Sequence, residues 1–427
     1  MTRIFSTPEV SLEAAVAFQV SNIFRMELTN AIEESRGTGK LDIARIAAVI
    51  KKHTNLSVQV GLDTTLVPNA YVIPPKVDKN HPIVNEWRRA FNANTDGINS
   101  INFTNGAAFG GVDFETGKVS GVFSKLTSEI WITKGAIEGY GQIRLTSGEI
   151  TGMIIHEIGH VITYFATLGQ TFRTAFILDG FVRETMKVNE KEVRYKLIRE
   201  FESETGVTIS DKVRVAESEN EGSIATVVLS DIIESSRSQY GTTLYDMRSW
   251  EALSDQYAAR MGCAGELASA LDKLYGIYEP MYYRGTFKYL MVEIGKFLGV
   301  FLLITANALL LNIIGLVIIF VYLSASPHQR EYDNPHERLV KLRNELIAQL
   351  KDKNINKERS ASLLADIEAI NRALDNVKDR HSFFEKFWLV VSPYTRRQVK
   401  MGKEIQELEQ LVNNEIFVEA AKLKKLA

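Results

Sequence analysis

The chain has 427 residues, 45% of them hydrophobic, which is too long for one unit of ordinary size and supplies apolar surface for at least one substantial core. Lys+Arg 50 against Asp+Glu 52 leaves a formal net charge of -2, which excludes the global basic field of a nucleic-acid binder. The single cysteine, Cys263, excludes an internal disulfide and fits a reducing, cytoplasmic compartment.

The opening MTRIFSTPEVSLEAAVAFQV carries Glu9 and Glu13 inside its apolar part, so it does not read as a signal peptide. Apolar residues at helical spacing over 8–35 and 41–52 predict two packing helices within an N-terminal region, 1–55. From about 56 to 145 the texture changes to short alternating runs, LSVQVGL, NAYVIPP, GGVDFETGKVSGVF and SEIWITKG, separated by Gly, Asn and Pro. These predict a small sheet, with ETGK at Glu115 to Lys118 as its tightest hairpin turn. Thr146 and Glu149 stand at capping-box spacing and predict a helix beginning near Ser147. The polar run AESENEGS at 216–223 is expected to be an exposed loop, and SWEALSDQYAARMG a helix ended by Gly262.

Phe297 to Leu323 contains no charge, and none appears until Arg330, so this stretch is expected to be a membrane segment. Flanking charges on its two sides are balanced and leave its topology open, including a shallow hairpin. The remainder, 324–427, is highly charged. Its apolar spacing at Leu339, Leu342, Leu346, Leu350, Leu363, Ile367, Ile370 and Leu374, then Ile405, Leu408 and Val412, predicts antiparallel helices or a short coiled coil through which copies could assemble. Residues 56–296 are left as the catalytic domain. The expected class is α+β: a small sheet with one motif-bearing helix, a hydrophobic segment and a helical tail.

The chemistry concentrates in GMIIHEIGHVITYF, Gly152 to Phe165. His156 and His160 are four apart, so on a helix they share a face and reach one zinc ion. Glu157 is rotated by about 100°, where it serves a water rather than the metal. Gly152, Gly159 and Thr163 on the histidine face are small and leave room beside the rings. With seven histidines in the chain, this spacing arises by chance about once in a hundred such compositions. A catalytic zinc takes a third protein ligand and keeps a position for water. Thr163 and Ala166 stand where a metzincin needs Gly and His, and Cys263 has no partner spacing. The better source is Glu251 and Asp255, again four apart on one helix face: one carboxylate binds the metal, the other holds the far N–H of a histidine.

HExxH followed 91 residues later by ExxxD resembles the membrane-associated gluzincin peptidases of the CAAX prenyl-protease and HtpX-like family. NAYV at Asn69 to Val72, SEIWITKG and SDQYAARMG are similar to elements around that family's zinc helix, so the resemblance covers roughly 56–345. It implies a zincin-like fold, one Zn2+ per chain held by His156, His160 and Glu251, Glu157 as general base and Asp255 as an orienting residue. It also implies a substrate-edge strand near Asn69, Ala70 and Tyr71 and transition-state contacts from His336 and Arg338 in YDNPHERLVKL. Two departures stand out: Asn334 replaces the family's usual histidine, and the hydrophobic segment lies between Glu251 and Arg338, where a single crossing would separate them. Partners implied are a protein or peptide substrate and a membrane, with SGVFSKL or SEIWITKG as further candidates for the substrate-binding edge. The rival expectation is a membrane-anchored structural or scaffold protein that retains a metalloprotease-like domain and works through its helical tail.

Overall fold

The computed structural model describes residues 21–37, 41–77, 81–83, 110–113, 116–205, 207–240, 247–310, 312–325, 335–351 and 355–378. It divides into two compact units, Met1–Met261 and Gly262–Ala427. This division falls at the end of the Glu251 helix, 35 residues before the boundary at 296/297 suggested by sequence texture.

The first unit opens with α1 (Ile23–Gly37) and α2 (Ile43–Thr54), which bury Phe24, Leu28, Ile32, Ile46 and Ile50. Asp42 caps α2 by accepting from the Arg45 amide, and Asn55, in the left-handed region, ends it. β1 (Ser57–Asp63) and β2 (Ala70–Ile73) flank β5 (Thr127–Thr133) in a mixed three-stranded sheet ordered β1-β5-β2. β1 runs parallel to β5, from Ser57 opposite Thr127 to Asp63 opposite Thr133, and β2 runs antiparallel to it. Gly61 lies opposite Trp131, whose ring covers it; a methyl at 61 would meet the ring at 2.6 Å.

β3 (Gly111–Asp113) and β4 (Lys118–Ser120) form the hairpin expected around ETGK, with Gly117 at φ +66°; Glu115 itself lies outside the described residues. SGVFSKL does not form a strand. Gly121–Lys125 is a 3-10 turn that buries Val122 and Phe123, so its backbone cannot pair with a substrate. SEIWITKG is a strand, but as β5 it has neighbours on both sides and no open edge. Short α3 (Lys134–Glu138) follows, capped by Thr133, which also ties β5 to the Val67 carbonyl at 2.9 Å.

α4 (Ser147–Lys187) starts where the sequence predicts. Thr146 Oγ1 accepts from the Glu149 amide at 3.1 Å while Glu149 accepts from the Thr146 amide at 2.7 Å, a complete capping box. Its first half buries Ile150, Ile154, Ile155, Ile158, Val161, Ile162 and Phe165, and α4 packs on α1, β2 and β5. Its 41 residues extend beyond this core. There Phe181 and Val182 join a separate cluster with Ile198 and Phe201 of α5 (Lys191–Thr205), Val215 of α6 (Lys212–Glu217) and Ile224 and Val228 of α7 (Glu221–Tyr240). Arg194, buried among them, is satisfied by the carbonyls of Val188, Ala216 and Ser218. Most of the run expected to be a loop at 216–223 is therefore helix, with only Ser218 to Asn220 between α6 and α7. α8 (Met247–Arg260) then packs along α4, and Gly262 beyond it adopts φ +80°.

In the second unit, α9 (Ala264–Tyr278), α12 (Pro335–Leu350) and α13 (Lys357–Asn376) form a three-helix bundle, with α10 (Thr286–Leu309) and α11 (Ile313–Ala325) between α9 and α12. The predicted stripe is buried at Leu339, Leu342, Leu346, Leu363, Ile367 and Ile370, and α9 of the same chain covers it with Leu267, Leu271 and Leu274. Ile405, Leu408 and Val412 lie outside the described residues. Taken together, the described residues are mostly helical with a small mixed sheet. One of these helices, Phe287–Leu309, is long and apolar enough to cross a membrane, and 6% of its most apolar window is buried. The charge-free stretch at 297–323 carries two helices, one that begins upstream at Thr286 and ends at Leu309 and a second that begins at Ile313.

Candidate metal centre

Two helices build the site. α4 presents His156 and, one turn later, His160; α8 crosses beside them and presents Glu251 and, one turn later, Asp255. The approach of the helices is set by Gly159. An added methyl there would stand 2.7 Å from Ser254 Cα and 3.1 Å from its carbonyl oxygen, so only glycine admits the α8 backbone. The space that small residues were expected to leave beside the histidines is, at Gly159, occupied by α8.

Four ligand-type atoms draw together, one from each histidine and both carboxylate oxygens of Glu251. His156 Nε2 and His160 Nε2 are 3.1 Å apart, Glu251 Oε2 is 3.4 Å from the first and Oε1 is 3.3 Å from the second. Charge-assisted hydrogen bonds close to about 2.7–2.9 Å, and the two imidazole–carboxylate separations are wider than that. Ligands arranged tetrahedrally at about 2.1 Å from a zinc ion stand about 3.4 Å from one another; each histidine Nε2 lies near that distance from one Glu251 oxygen, a different oxygen for each, and the two nitrogens lie somewhat closer. His156 Nδ1 faces Asp255 Oδ1 at 2.8 Å, which favours the proton on Nδ1 and leaves Nε2 as an acceptor directed toward His160 and Glu251. Two imidazoles and a buried carboxylate gathered in this way are a donor set that a divalent metal fits.

Glu157 is half-buried, and a carboxylate oxygen of it lies within 4.8 Å of a ring nitrogen of each histidine. With the two histidines it forms a second possible donor set, alongside the one that includes Glu251. The rings of His156 and His160 meet nearly at right angles, 83°, with centroids 4.7 Å apart and their Nε2 atoms 3.1 Å from each other.

The other residues singled out in the sequence are placed as follows. β2, carrying Ala70 and Tyr71, is an edge strand of its sheet. Asn69 precedes it and accepts the Ala70 amide through its own side chain at 3.0 Å; Ala70 is buried; Tyr71 donates to Asp63 at 3.0 Å. That hydroxyl, with the Thr65 amide and hydroxyl ahead of it in effect, holds the Asp63 carboxyl below its usual range. Tyr164, two turns past His156 on α4, donates to the Pro75 carbonyl at 2.7 Å and pins the segment leaving β2. Burial raises its hydroxyl pKa. His336 and Arg338 lie on α12 in the second unit, where Arg338 is buried and donates to the Tyr275 hydroxyl at 3.3 Å. Asn334 lies outside the described residues.

Sequence reasoning missed the Gly159–Ser254 approach that brings Glu251 within reach. The available signal was small residues on both helices, at 159 and 254, each three from a motif carboxylate or histidine. No protein-family model, no curated protein and no solved structure matches the chain.

Proposed function

We propose that the chain is a zinc-dependent endopeptidase that hydrolyses peptide bonds of protein substrates at or near a membrane, built on a zincin-like arrangement of the CAAX prenyl-protease and HtpX-like kind. The observation that carries the reading is the gathering of His156, His160 and the Glu251 carboxylate, each histidine Nε2 within 3.4 Å of a Glu251 oxygen, with a Glu157 oxygen within 4.8 Å of both histidines. A structural zinc site closes its fourth position with another ligand, whereas three ligands and an adjacent unligated carboxylate are the donor set of a hydrolytic one.

A zinc ion held there supplies Lewis-acid polarisation of a carbonyl and a water acidic enough to ionise near neutral pH. Glu157 takes the proton of the attacking water on its carboxylate and returns it to the leaving amine nitrogen. Asp255 holds the His156 ring in one tautomer by facing Nδ1, and Glu251 balances charge in the buried site. The edge of β2 offers main-chain partners to an extended substrate, with the Asp63–Tyr71 contact steadying that strand against β1. Membrane association is supported by Phe287–Leu309, whose large apolar side chains are mostly exposed. A reducing compartment is supported by the lone buried Cys263.

Glu157→Gln provides the test. The wild type in detergent should bind one zinc per chain and cleave an unfolded protein such as casein; the variant should keep the zinc and lose cleavage by at least about a hundredfold. Zinc-loaded wild type that cleaves neither casein nor itself, or a variant that cleaves like wild type, refutes the reading.

A further inference from the structure

The charge-free stretch is folded back on itself. α10 ends at Leu309, α11 starts at Ile313, and the two helices pack together. At the turn, Asn312 donates its amide to the Asn307 carbonyl at 2.8 Å and its side-chain amide to Asn307 Oδ1 at 2.9 Å; its Oδ1 accepts from the Gly315 amide at 3.1 Å. Asn307 Nδ2 donates to the Leu303 carbonyl at 2.8 Å. A methyl at 315 would meet Asn307 Oδ1 at 2.0 Å, so a larger residue there would push the Asn307 side chain out of the turn. The two asparagines thus join the end of α10 to the start of α11 and satisfy the Gly315 amide from within the turn, which reduces the number of backbone groups left to water. Around it the surface is apolar: Leu309, Leu310, Ile313 and Ile314 are among the most exposed large hydrophobic residues described.

Length and bundle packing decide how this hairpin can meet a bilayer. The charge-free part of α10, Phe297 to Leu309, has 13 residues, and α11 also has 13. Each leg is therefore about 20 Å long, against about 30 Å for a hydrocarbon core. Upstream of Phe297 the helix carries Lys288, Glu293 and Lys296, with Lys296 paired to Glu293 at 2.8 Å, and these belong at the polar boundary. Moreover, the legs' outer ends lead into one bundle: α9 precedes the hairpin, α12 and α13 follow it, and all three pack together. Asn376 donates to Asp272 at 2.9 Å, the Lys378 amide donates to the Tyr282 carbonyl at 2.9 Å, and Gly265 admits Asp366 where a methyl would stand 2.7 Å from its Oδ1. A single crossing would require pulling α9 away from α12 and α13.

We infer that α10 and α11 form a monotopic hairpin anchor that enters a lipid bilayer about 20 Å from one face, with the Leu309–Ile313 turn deepest, and leaves by the same face. This rests on the membrane part of the proposed function and not on its chemistry. No bilayer then separates Arg338 from α9.

The test uses the full chain with two added cysteines, Glu279→Cys at the end of α9 and Lys357→Cys at the start of α13, both exposed in the structure. The protein is inserted into phosphatidylcholine–phosphatidylglycerol vesicles and treated with a membrane-impermeant maleimide; intact mass then counts labels per molecule. Wild type, whose Cys263 is buried, gives the blank. A same-face hairpin gives molecules with two labels or none, whatever the mixture of orientations. A single crossing gives one label on every molecule and overturns the inference. Depth is read separately with a fluorophore on Leu310→Cys: quenching by lipids brominated deep in the acyl chain is expected, and quenching by aqueous iodide overturns it. Wild type that fails to float with vesicles also overturns it, while casein cleavage by that same sample would leave the peptidase reading standing.

Discussion

Gly159→Ala probes the joint between α4 and α8 on which the centre depends. The added methyl would start 2.7 Å from Ser254 Cα, and ordinary contact between carbons begins near 3.5 Å, so the helices must part by about 0.8 Å. Ser254 lies three residues after Glu251 on the same helix, so the carboxylate moves with it. His–Glu251 separations of 3.3 and 3.4 Å would widen to about 4 Å, past the roughly 3.4 Å edge of a tetrahedral zinc site. Alanine is the better helix former by about 1 kcal/mol, which offsets part of an overpacking cost of about 1–3 kcal/mol. The expected result is a small net loss of stability and a fall in zinc affinity of about 10–100-fold, the range found when groups that orient ligands are removed. Competition against a fluorescent zinc chelator gives the affinity and urea unfolding gives the stability. Gly276→Ala is the control: nothing lies within 4 Å of its added methyl, so it should stabilise α9 by about 0.5–1 kcal/mol and leave zinc binding unchanged. If Gly159→Ala bound zinc as tightly as wild type, the Ser254 approach would not be what positions Glu251.

Glu251→Ala should lower zinc affinity by at least about a hundredfold, since only the two histidines and Glu157, the residue proposed as base, then remain within reach, and wild-type affinity would remove Glu251 from the ligand set. Asp255→Ala should keep a stoichiometry of one at saturating zinc but lower affinity about 10–100-fold, measured by the same competition, because His156 Nδ1 loses the carboxylate at 2.8 Å. Thr146→Ala removes the capping box at the start of α4 and should cost about 1 kcal/mol in urea unfolding, with zinc affinity preserved because His156 lies more than two turns inside the helix.

Much of the local structure was legible in the residues. The start of α4 was written in Thr146 and Glu149, because a capping box depends on side chains three residues apart and on nothing distant. The shared face of His156 and His160, and of Glu251 and Asp255, followed from the helical period alone. Non-local outcomes were not legible in this way. SEIWITKG reads as a strand, but being central instead of an edge depends on β1 and β2 lying on either side of it, 54 or more residues earlier in the chain. AESENEGS is polar enough for a loop, yet packing of Val215, Ala216 and Ile224 into a cluster with α4 and α5 turned most of it into helix.

What the sequence by itself determined is the chemistry on offer: two imidazoles, a neighbouring carboxylate and an ExxxD pair, each set at a spacing that one helical turn makes meaningful. Only the tertiary structure decided that the two pairs meet. That meeting depends on a glycine at 159 wide enough for one backbone, 95 positions from the serine that fills it. The charge-free stretch divides along the same line. Its composition marked it as lipid-compatible. That the helices on either side of it, α9 and α12, share one core with α13 was decided by tertiary packing, because the pairing joins segments more than 50 residues apart.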